Sequence, residues 1–539
     1  MKKEKQVMRK QTTRVLSALL LLALLACMLG AAAVGAAEGS VLSVTYTFTG
    51  VMAEEPGYAQ GEIAIRPGSG ARSSGYYLLY YADDTDTLKA YDELGSVKIT
   101  GKNVTYTVKS GLMLPVGATR IAVFESTVRF LDETPPIAEA AAVVEIPASK
   151  RLSSLGTAEL SFAAVSDVHM NYEAHDRGAY QKWANALEFF SESGMEYVIV
   201  SGDMTGDDSG GEDLEADYQK YVEIINASSF PIENIYESLG NHGNTPSKLA
   251  LFTKYTSGAG EVHPYEGSPY FSVLLEGKNG ARDNLFLFMR QELNAPGESA
   301  SKDNFSKAQI DWLEDMLRQY GETETNIFII EHSPFLQIGP GDKFPRGYTA
   351  MLSFKDAFKQ NMRLKGLLET YRNVVVMSGH THLSLYDNYN YSNEDGAFAN
   401  MVHIGSTSQP CAYGAGTSFV RSSDGRYGVT PTYGSEGYLV RVYEDHIVYT
   451  GYNLSTGKII PAGCLIIPTV APVTMMPGDV NNNGEIDSYD YMLLKRSVLG
   501  TFKLTEAQKA VADVNHDKDI NAYDYMLVKR HVIGTFKIG

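Results

Sequence analysis

Residues Tyr197–Asp207 read YVIVSGDMTGD. The run Val198-Ile199-Val200 is short, apolar and closed by a Ser-Gly turn, which predicts a buried strand delivering Asp203 onto a loop. An apolar strand ending in Gly-Asp is a common pattern and, taken alone, usually a turn. Four further segments repeat it: Ser166-Asp167-Val168-His169, Gly240-Asn241-His242, Glu331-His332-Ser333-Pro334 and Gly379-His380-Thr381-His382. A lone histidine in any one of them reads as a hydrogen-bonded core or surface residue. Five strand ends finishing in carboxylate, amide or imidazole groups point instead to one shared metal site. Mixed oxygen and imidazole donors suit Mn, Fe, Zn or Ni rather than calcium, and Asp203 is read as the ligand that bridges two ions.

The surrounding pattern alternates strand and helix across residues 151–467. Strands are expected at LSFAAVSD, YVIVSGD, NIYESLG, NIFIIEH and NVVVMSGH, and helices over Ala179–Ser193, Leu214–Asn226 and Ala308–Tyr320. Further β-like runs (YFSVLLEG, NLFLFMRQ, MVHIGST, GYLVRVYEDHIVYTGYN) predict a two-sheet α/β core with helices outside. Loops 258–269, 339–350 and 408–436 are candidate substrate walls. Upstream, residues 40–150 hold short alternating runs broken by Gly, Pro and Asp, which predict an all-β sandwich similar to immunoglobulin or fibronectin type III modules, without a Cys-Trp-Cys signature. Its Tyr76, Tyr77, Tyr80 and Tyr81 are read as packed strand faces rather than a sugar-stacking surface.

The 539 residues are long enough for several domains, with a 44% hydrophobic and 20% charged composition typical of globular chains. Against 64 Asp+Glu stand 46 Lys+Arg, a net charge of −18 that offers no basic excess for nucleic acid. Residues 1–37 read as a signal peptide: basic residues, an apolar core from Val15 to Leu29, then AAAVGAAEG with small-x-small cleavage after Ala36 or Ala37. Leu24-Leu25-Ala26-Cys27 resembles a lipobox, but the residues after Cys27 stay apolar, which favours a secreted chain over a lipoprotein. No other segment is long and apolar enough to span a bilayer. Cys411 and Cys464 remain after processing and could form one disulfide in an oxidising compartment.

A Pro/Thr linker, 468–477, leads to a duplication in 478–539: GDVNNNGEIDSYDYMLLKRSVLGTFK returns thirty-four residues later as ADVNHDKDINAYDYMLVKRHVIGTFK. Each copy spaces oxygen ligands as a twelve-residue calcium loop does. The first offers Asp479, Asn481, Asn483, the carbonyl of Glu485, Asp487 and Asp490; the second Asp513, Asn515, Asp517, the carbonyl of Asp519, Asn521 and Asp524. Gly484 takes the sharp sixth position in the first loop. In the second, Lys518 stands there and must adopt positive φ, which costs roughly 1 kcal/mol. The unit resembles a type I dockerin, without a clear entering helix before its loops. The resemblance implies two bound Ca ions and a cohesin partner on a scaffoldin. Contacts would come from Ser488, Tyr489, Lys495 and Arg496 and from Ala522, Tyr523, Lys529 and Arg530, in two orientations related by a pseudo-twofold.

The order D-x-H, GD, GNH, H, GHxH resembles the calcineurin-like metallophosphoesterase superfamily. That resemblance implies a four-layer α/β/β/α sandwich and a dinuclear centre. One metal would take Asp167, His169, Asp203 and His382; the other Asp203, Asn241, His332 and His380; His242 would be catalytic. It implies hydrolysis of a phosphomonoester or phosphodiester by a metal-activated hydroxide. The family often places Asp or Glu after this histidine, where the chain has Gly243-Asn244, and purple acid phosphatases carry a Tyr where Gly206 stands. The leading expectation is a secreted phosphoesterase tethered through its dockerin to a cellulosome-like complex. The alternative is a catalytically inactive, metal-containing binding module of that complex. Polysaccharide catabolism is suggested only by the company dockerins keep.

Overall fold

The computed structural model describes residues 41–49, 56–170, 178–206, 214–256, 270–290, 305–334, 356–412, 430–469, 476–481 and 486–538, apart from interruptions at 92, 110–111, 132, 244–245, 279, 322, 372–373, 387–389, 394–398, 432–433 and 505. The expected signal peptide, the loops 258–269 and 339–350, most of the linker, and the calcium-loop residues Asn483 and Glu485 lie outside the described residues. The chain divides into two compact units, Met1–Ser154 and Leu155–Gly539.

The first unit is β-rich. Strands β1 (Val41–Phe48), β2 (Gly61–Pro67) and β5 (Val104–Val108) form one antiparallel sheet. Strands β3 (Tyr76–Ala82), β4 (Gly95–Lys98), β6 (Arg120–Ser126) and β7 (Ala142–Glu145) form another in the order β4-β3-β6-β7. In β2 the alternation is clean, with Ile63 and Ile65 buried and Glu62, Ala64 and Arg66 exposed, as a sheet with one wet face requires. Tyr77, Tyr80 and Tyr81 are at most 4% exposed, so these rings fill the core, Tyr80 edge-on to Phe124. They offer no stacking platform.

The second unit has two large sheets. One runs β10 (Ile235–Glu237), β9 (Tyr197–Val200), β8 (Leu160–Val165), β19 (Glu436–Val442), β20 (His446–Asn453) and β21 (Lys458–Ile459), with β22 (Leu465–Pro468) also on β20. The other runs β11 (Phe271–Leu275), β12 (Asn284–Phe288), β13 (Asn326–Ile330), β14 (Val375–Ser378), β16 (Asn400–His403) and β15 (Tyr391–Ser392). A short ribbon joins β17 (Cys411–Ala412) to β18 (Thr430–Pro431). Because side chains alternate along a strand, β12 sends Phe286 and Phe288 into a core shared with Phe162, Phe328, Ile330, Tyr438 and Val440 of both sheets. Its Leu285 and Leu287 point the other way, onto α4 (Lys307–Tyr320) and α5 (Asp356–Thr370), where Ile310, Leu313, Leu317, Leu364, Leu367 and Leu368 close a second core. Helices α1 (Ala179–Glu192) and α2 (Leu214–Ala227) pack together through Trp183 stacked on Tyr221, and α3 is Pro246–Tyr255. The sequence reading did not anticipate α3 or α5; Gly366 inside α5 weakens its helical signature.

Strands β8, β9 and β10 are mutually parallel, as are β12, β13, β14 and β16. Parallel pairing collects the carboxyl ends of β8, β9 and β10 on one side, and those of β13 and β14 likewise, the usual place for a site in α/β sheets. The duplicated tail folds as α6 (Ser488–Val498), α7 (Glu506–Ala512) and α8 (Ala522–Val532) around Val480, Leu493, Leu494, Leu504, Ala512 and Val528. Helix α7 runs directly into the second loop, an entering helix the sequence did not suggest. No helix among the described residues is long and apolar enough to cross a membrane. Cys411 and Cys464 are both free thiols; burial pushes Cys464 up to about 12.

Phe162 is fully buried, with its ring edge-on to both Phe286 and Phe328 across the two-sheet core. Phe162→Ala should destabilise the second unit by about 3–5 kcal/mol, measured as a lowered urea midpoint at unchanged m-value.

Candidate metal centre

Five short loops follow the strand ends, and the chain bends sharply in them. Among the described residues the positive-φ non-glycine positions are Asp167 (54°), His169 (48°), Asp203 (51°), His380 (66°), His382 (53°), His516 (59°) and Lys518 (72°). Five of these are the residues read from sequence as ligands. A left-handed backbone is unfavourable for side chains with a Cβ, so such clustering marks a site whose geometry the fold enforces. Glycines make the approach feasible. A Cβ at Gly240 would stand 1.9 Å from Asp203 Oδ1, and one at Gly202 (φ 85°) 2.5 Å from His332 Nδ1.

All seven expected ligands and His242 converge. Asp167, His169 and His382 offer atoms within 4.8 Å of one another, as do His169, Asp203 and His242, and Asp203, His332 and His380. His382 Nε2 lies 3.0 Å from Asp167 Oδ1 and 3.1 Å from His169 Nε2. His332 Nε2 lies 3.0 Å from Asp203 Oδ2 and 3.0 Å from Asn241 Oδ1, which is also 2.7 Å from His380 Nδ1. Asp203 thus faces both groups. The grouping of His242 with His169 and Asp203, its Nε2 3.8 Å from Asp203 Oδ2, goes beyond the role read from sequence.

Backbone groups aim these side chains. His332 donates from Nδ1 to the Ser201 carbonyl (2.6 Å) and His382 from Nδ1 to the Gln409 carbonyl (3.0 Å), so each ring turns its Nε2 to the centre. His380 N–H donates to Asp167 Oδ2 and His242 N–H to Asp203 Oδ1, both at 3.0 Å. Ser406 and Ser408 hydroxyls donate to the Asp167 carbonyl. The sequence reading missed Ser201, Ser406, Ser408 and Gln409. Two of them act through main-chain carbonyls, which carry no residue-type signal.

The electrostatics are those of a site built for cations. Asp167 and Asp203 are buried, which alone would raise their pKa values, yet His382 and His332 beside Asp167, and His332 and His242 beside Asp203, hold both well below the usual range. His332 is reciprocal: burial opposes its charge, but Asp203 and Asp167 push it up to about 10. Burial, then the neighbouring His332, drives His380 down to about 3. Among the described residues the buried Asp167 Oδ1 meets no well-aligned donor and faces only imidazole nitrogens, His382 Nε2 at 3.0 Å and His169 Nε2 at 3.6 Å. The donor set and this oxygen fit bound divalent cations, which would replace the imidazolium protons as the counter-charge.

In the tail, Asp513 accepts N–H bonds from Asp517 and Lys518, and Asn515, Asp519 and Asn521 lie on the same loop with Asp524 beneath it. In the first copy Asp490 is pushed up to about 7, by burial and by the carboxylates of Asp479 and Asp487. Carboxylates crowded this way fit a bound cation. Both Asp490 and Asp524 also close capping boxes on the helices that follow.

The family model for calcineurin-like phosphoesterases matches residues 160–384, and that for the dockerin type I domain matches residues 477–533. Similar solved structures include a dimetal phosphatase from Danio rerio, 14% identical over 58% of this chain and 100% of that one, with a TM-score of 0.39. Another is the purple acid phosphatase PPD1 from yellow lupin seeds, 11% identical over 77% of this chain and 73% of that one, with a TM-score of 0.36. No match to a curated protein was found.

Two outcomes follow for the centre. Gly240→Ala should cut metal retention roughly 10–100-fold, read by elemental analysis after dialysis, because its Cβ displaces Asp203. The His332 proton adds stability to the metal-free fold that is fully present below the ordinary histidine pKa and lost as pH rises through about 10. Metal must displace that proton, so Mn affinity should rise with pH below about 10. Calorimetry at pH 7 in buffers of different ionisation enthalpy should show proton release; buffer-independent heats would contradict it.

Proposed function

Because residues 160–384 are a calcineurin-like phosphoesterase domain and residues 477–533 a type I dockerin, we propose that the chain is an exported, dinuclear-metal phosphoesterase held on a cohesin-bearing scaffold. The observation that carries this is Asp203, shared between two groups of ligand atoms. Asp167, His169, Asp203 and His382 would hold one ion, and Asp203, Asn241, His332 and His380 the other. The ions would be Mn, Fe, Zn or Ni, given the imidazole-rich donors. When bound, they supply Lewis acidity toward phosphoryl oxygens and an acidified water.

The remaining steps belong to side chains of this chain. His242 sits at the open edge of the cluster, edge-on to His169 with centroids 5.1 Å apart, and its side chain is 23% exposed. There it can donate a hydrogen bond to a transferring phosphoryl group or a proton to the leaving oxygen. Its Nδ1 is buried and makes no hydrogen bond among the described residues, in keeping with Gly243-Asn244 following it in place of an acid. Among the described residues no carboxylate reaches His242 Nδ1; Asp203 lies on the Nε2 side of the ring at 3.8 Å. The buried loops at 166–170 and 201–206 exclude water from beneath the ligands. Gly206 stands where an iron-binding Tyr would mark the purple acid phosphatases, so the reading is a phosphoesterase outside that subfamily.

The four-layer arrangement, two Ca ions in the dockerin, signal cleavage after Ala36 or Ala37, and a spacer role for the β-rich first unit belong to the same proposal. Its test is hydrolysis of nitrophenyl phosphate monoester and diester by Mn-loaded protein. Asp203→Asn should lose metal and activity together while keeping calcium-dependent cohesin binding. His242→Ala should keep metal and lose roughly 10²–10⁴-fold in kcat. Protein holding two metals yet inactive on both esters would favour the inactive binding module.

A further inference from the structure

The two copies of the tail are nearly identical in sequence and inner packing, but not in what covers them. Arg496 lies over the Phe502 ring at 5.5 Å, and Arg530 over Phe536 at 5.5 Å. Thr501 N–H donates to the Arg496 carbonyl at 2.9 Å, and Thr535 N–H to the Arg530 carbonyl at 2.8 Å. The outer faces differ. Tyr523, Met526, Val532 and Phe536 are exposed, Tyr523 by 52%, and so is Arg530. Their counterparts Tyr489, Met492, Arg496, Val498 and Phe502 are all partly buried.

The cover is the chain's own phosphoesterase domain. Tyr489 packs against the core formed by α4, α5 and their sheet. Arg496 Nη1 reaches Glu369 of α5 at 3.5 Å, where the carboxylate side chain is only 9% exposed. Gly366, one turn earlier on α5, permits this approach: a Cβ there would stand 2.9 Å from Arg496 Nη2. Glycine inside a helix is unfavourable, and here it leaves room for the guanidinium. Beside the contact opens a cleft of about 910 Å³, lined by Arg363, Leu367, Phe502 and Leu504 among others.

We propose that the first repeat is masked by α5, and that the protein engages its cohesin through the second repeat alone, in one orientation. The masked face also defines what the free face takes: an apolar surface for the ring of Tyr523 and a carboxylate for Arg530, as α5 supplies to Tyr489 and Arg496. This rests on the cohesin-binding reading above, but the masking itself is readable without a cohesin.

Phenylglyoxal labelling of the full-length, calcium-loaded chain, mapped by mass spectrometry, should modify Arg530 at least several-fold faster than Arg496. Gly366→Lys, which puts a helix-forming residue in place of glycine and wedges the contact, should abolish the difference. Equal rates in the unsubstituted chain overturn the masking. In calorimetry against a panel of recombinant type I cohesins, Tyr523→Ala with Arg530→Ala should weaken binding at least 100-fold, while Tyr489→Ala with Arg496→Ala changes it less than about threefold. Adding Gly366→Lys to the second-repeat variant should restore binding through the first repeat. Equal losses from the two repeats overturn the single orientation. Binding to no cohesin, with unequal arginine rates, sinks the partner assignment and leaves the masking standing.

Discussion

Two carboxylates buried side by side cannot both stay ionised in a protein interior without positive charge among them. Asp167 and Asp203 are at most 2% exposed, and the structure around them is arranged to answer that constraint. Five imidazoles and one amide surround them, and two imidazoles are fixed by carbonyls so that Nε2 faces inward. The parallel strands matter because they bring distant segments, from residue 167 to residue 382, to the ends of two sheets. The glycines matter because they let backbone pass within contact of a carboxylate. With cations in place, each of these features serves one purpose; without them, His332 has to carry a proton that its burial opposes.

Much of this was legible in sequence, for a specific reason. Side-chain ligands are encoded by residue type, and an apolar run followed by Gly-Asp, Gly-Asn or Gly-His states both the strand and its cargo. Thus Asp167, His169, Asp203, Asn241, His332, His380 and His382 could be picked out one by one, and the structure brings all of them together with His242. The carbonyls of Ser201 and Gln409 could not, because any residue supplies a carbonyl and only the fold places it. The glycines at 202 and 240 were read as turn formers; their tighter role, a missing Cβ against His332 and Asp203, depends on tertiary neighbours. Helix α5 escaped notice for a related reason. Its Gly366 counts against a helix locally and is explained only by Arg496, which lies 130 residues further along.

The tail gives the complementary lesson. Duplication made the two calcium loops readable as a pair, and the positive φ demanded of Lys518 is present at 72°. The same duplication implied two equivalent binding faces, because sequence identity carries no information about environment. Equivalence ends where one copy meets α5. Arg496 and Arg530 make the same contact with their own phenylalanine, but Arg496 has Glu369 and Gly366 of α5 within reach while Arg530 is exposed.

The left-handed ligands bear on the energetics of the whole second unit. Five non-glycine residues at positive φ, at about 1 kcal/mol or more each, sum to several kcal/mol. A domain of ordinary net stability, about 5–15 kcal/mol, cannot carry that strain plus two buried carboxylates without a sizeable compensating interaction. The two-sheet core around Phe162, Phe286 and Phe328 supplies part of it by apolar burial. Cation binding to the folded state alone would supply a further part, growing with the logarithm of metal concentration over Kd. Strain at Asp167, His169, Asp203, His380 and His382 would therefore link folding to metal under the proposed ligand assignment. Any substitution that relaxes one of those backbones in the metal-free protein also removes the aim of the ligand it carries.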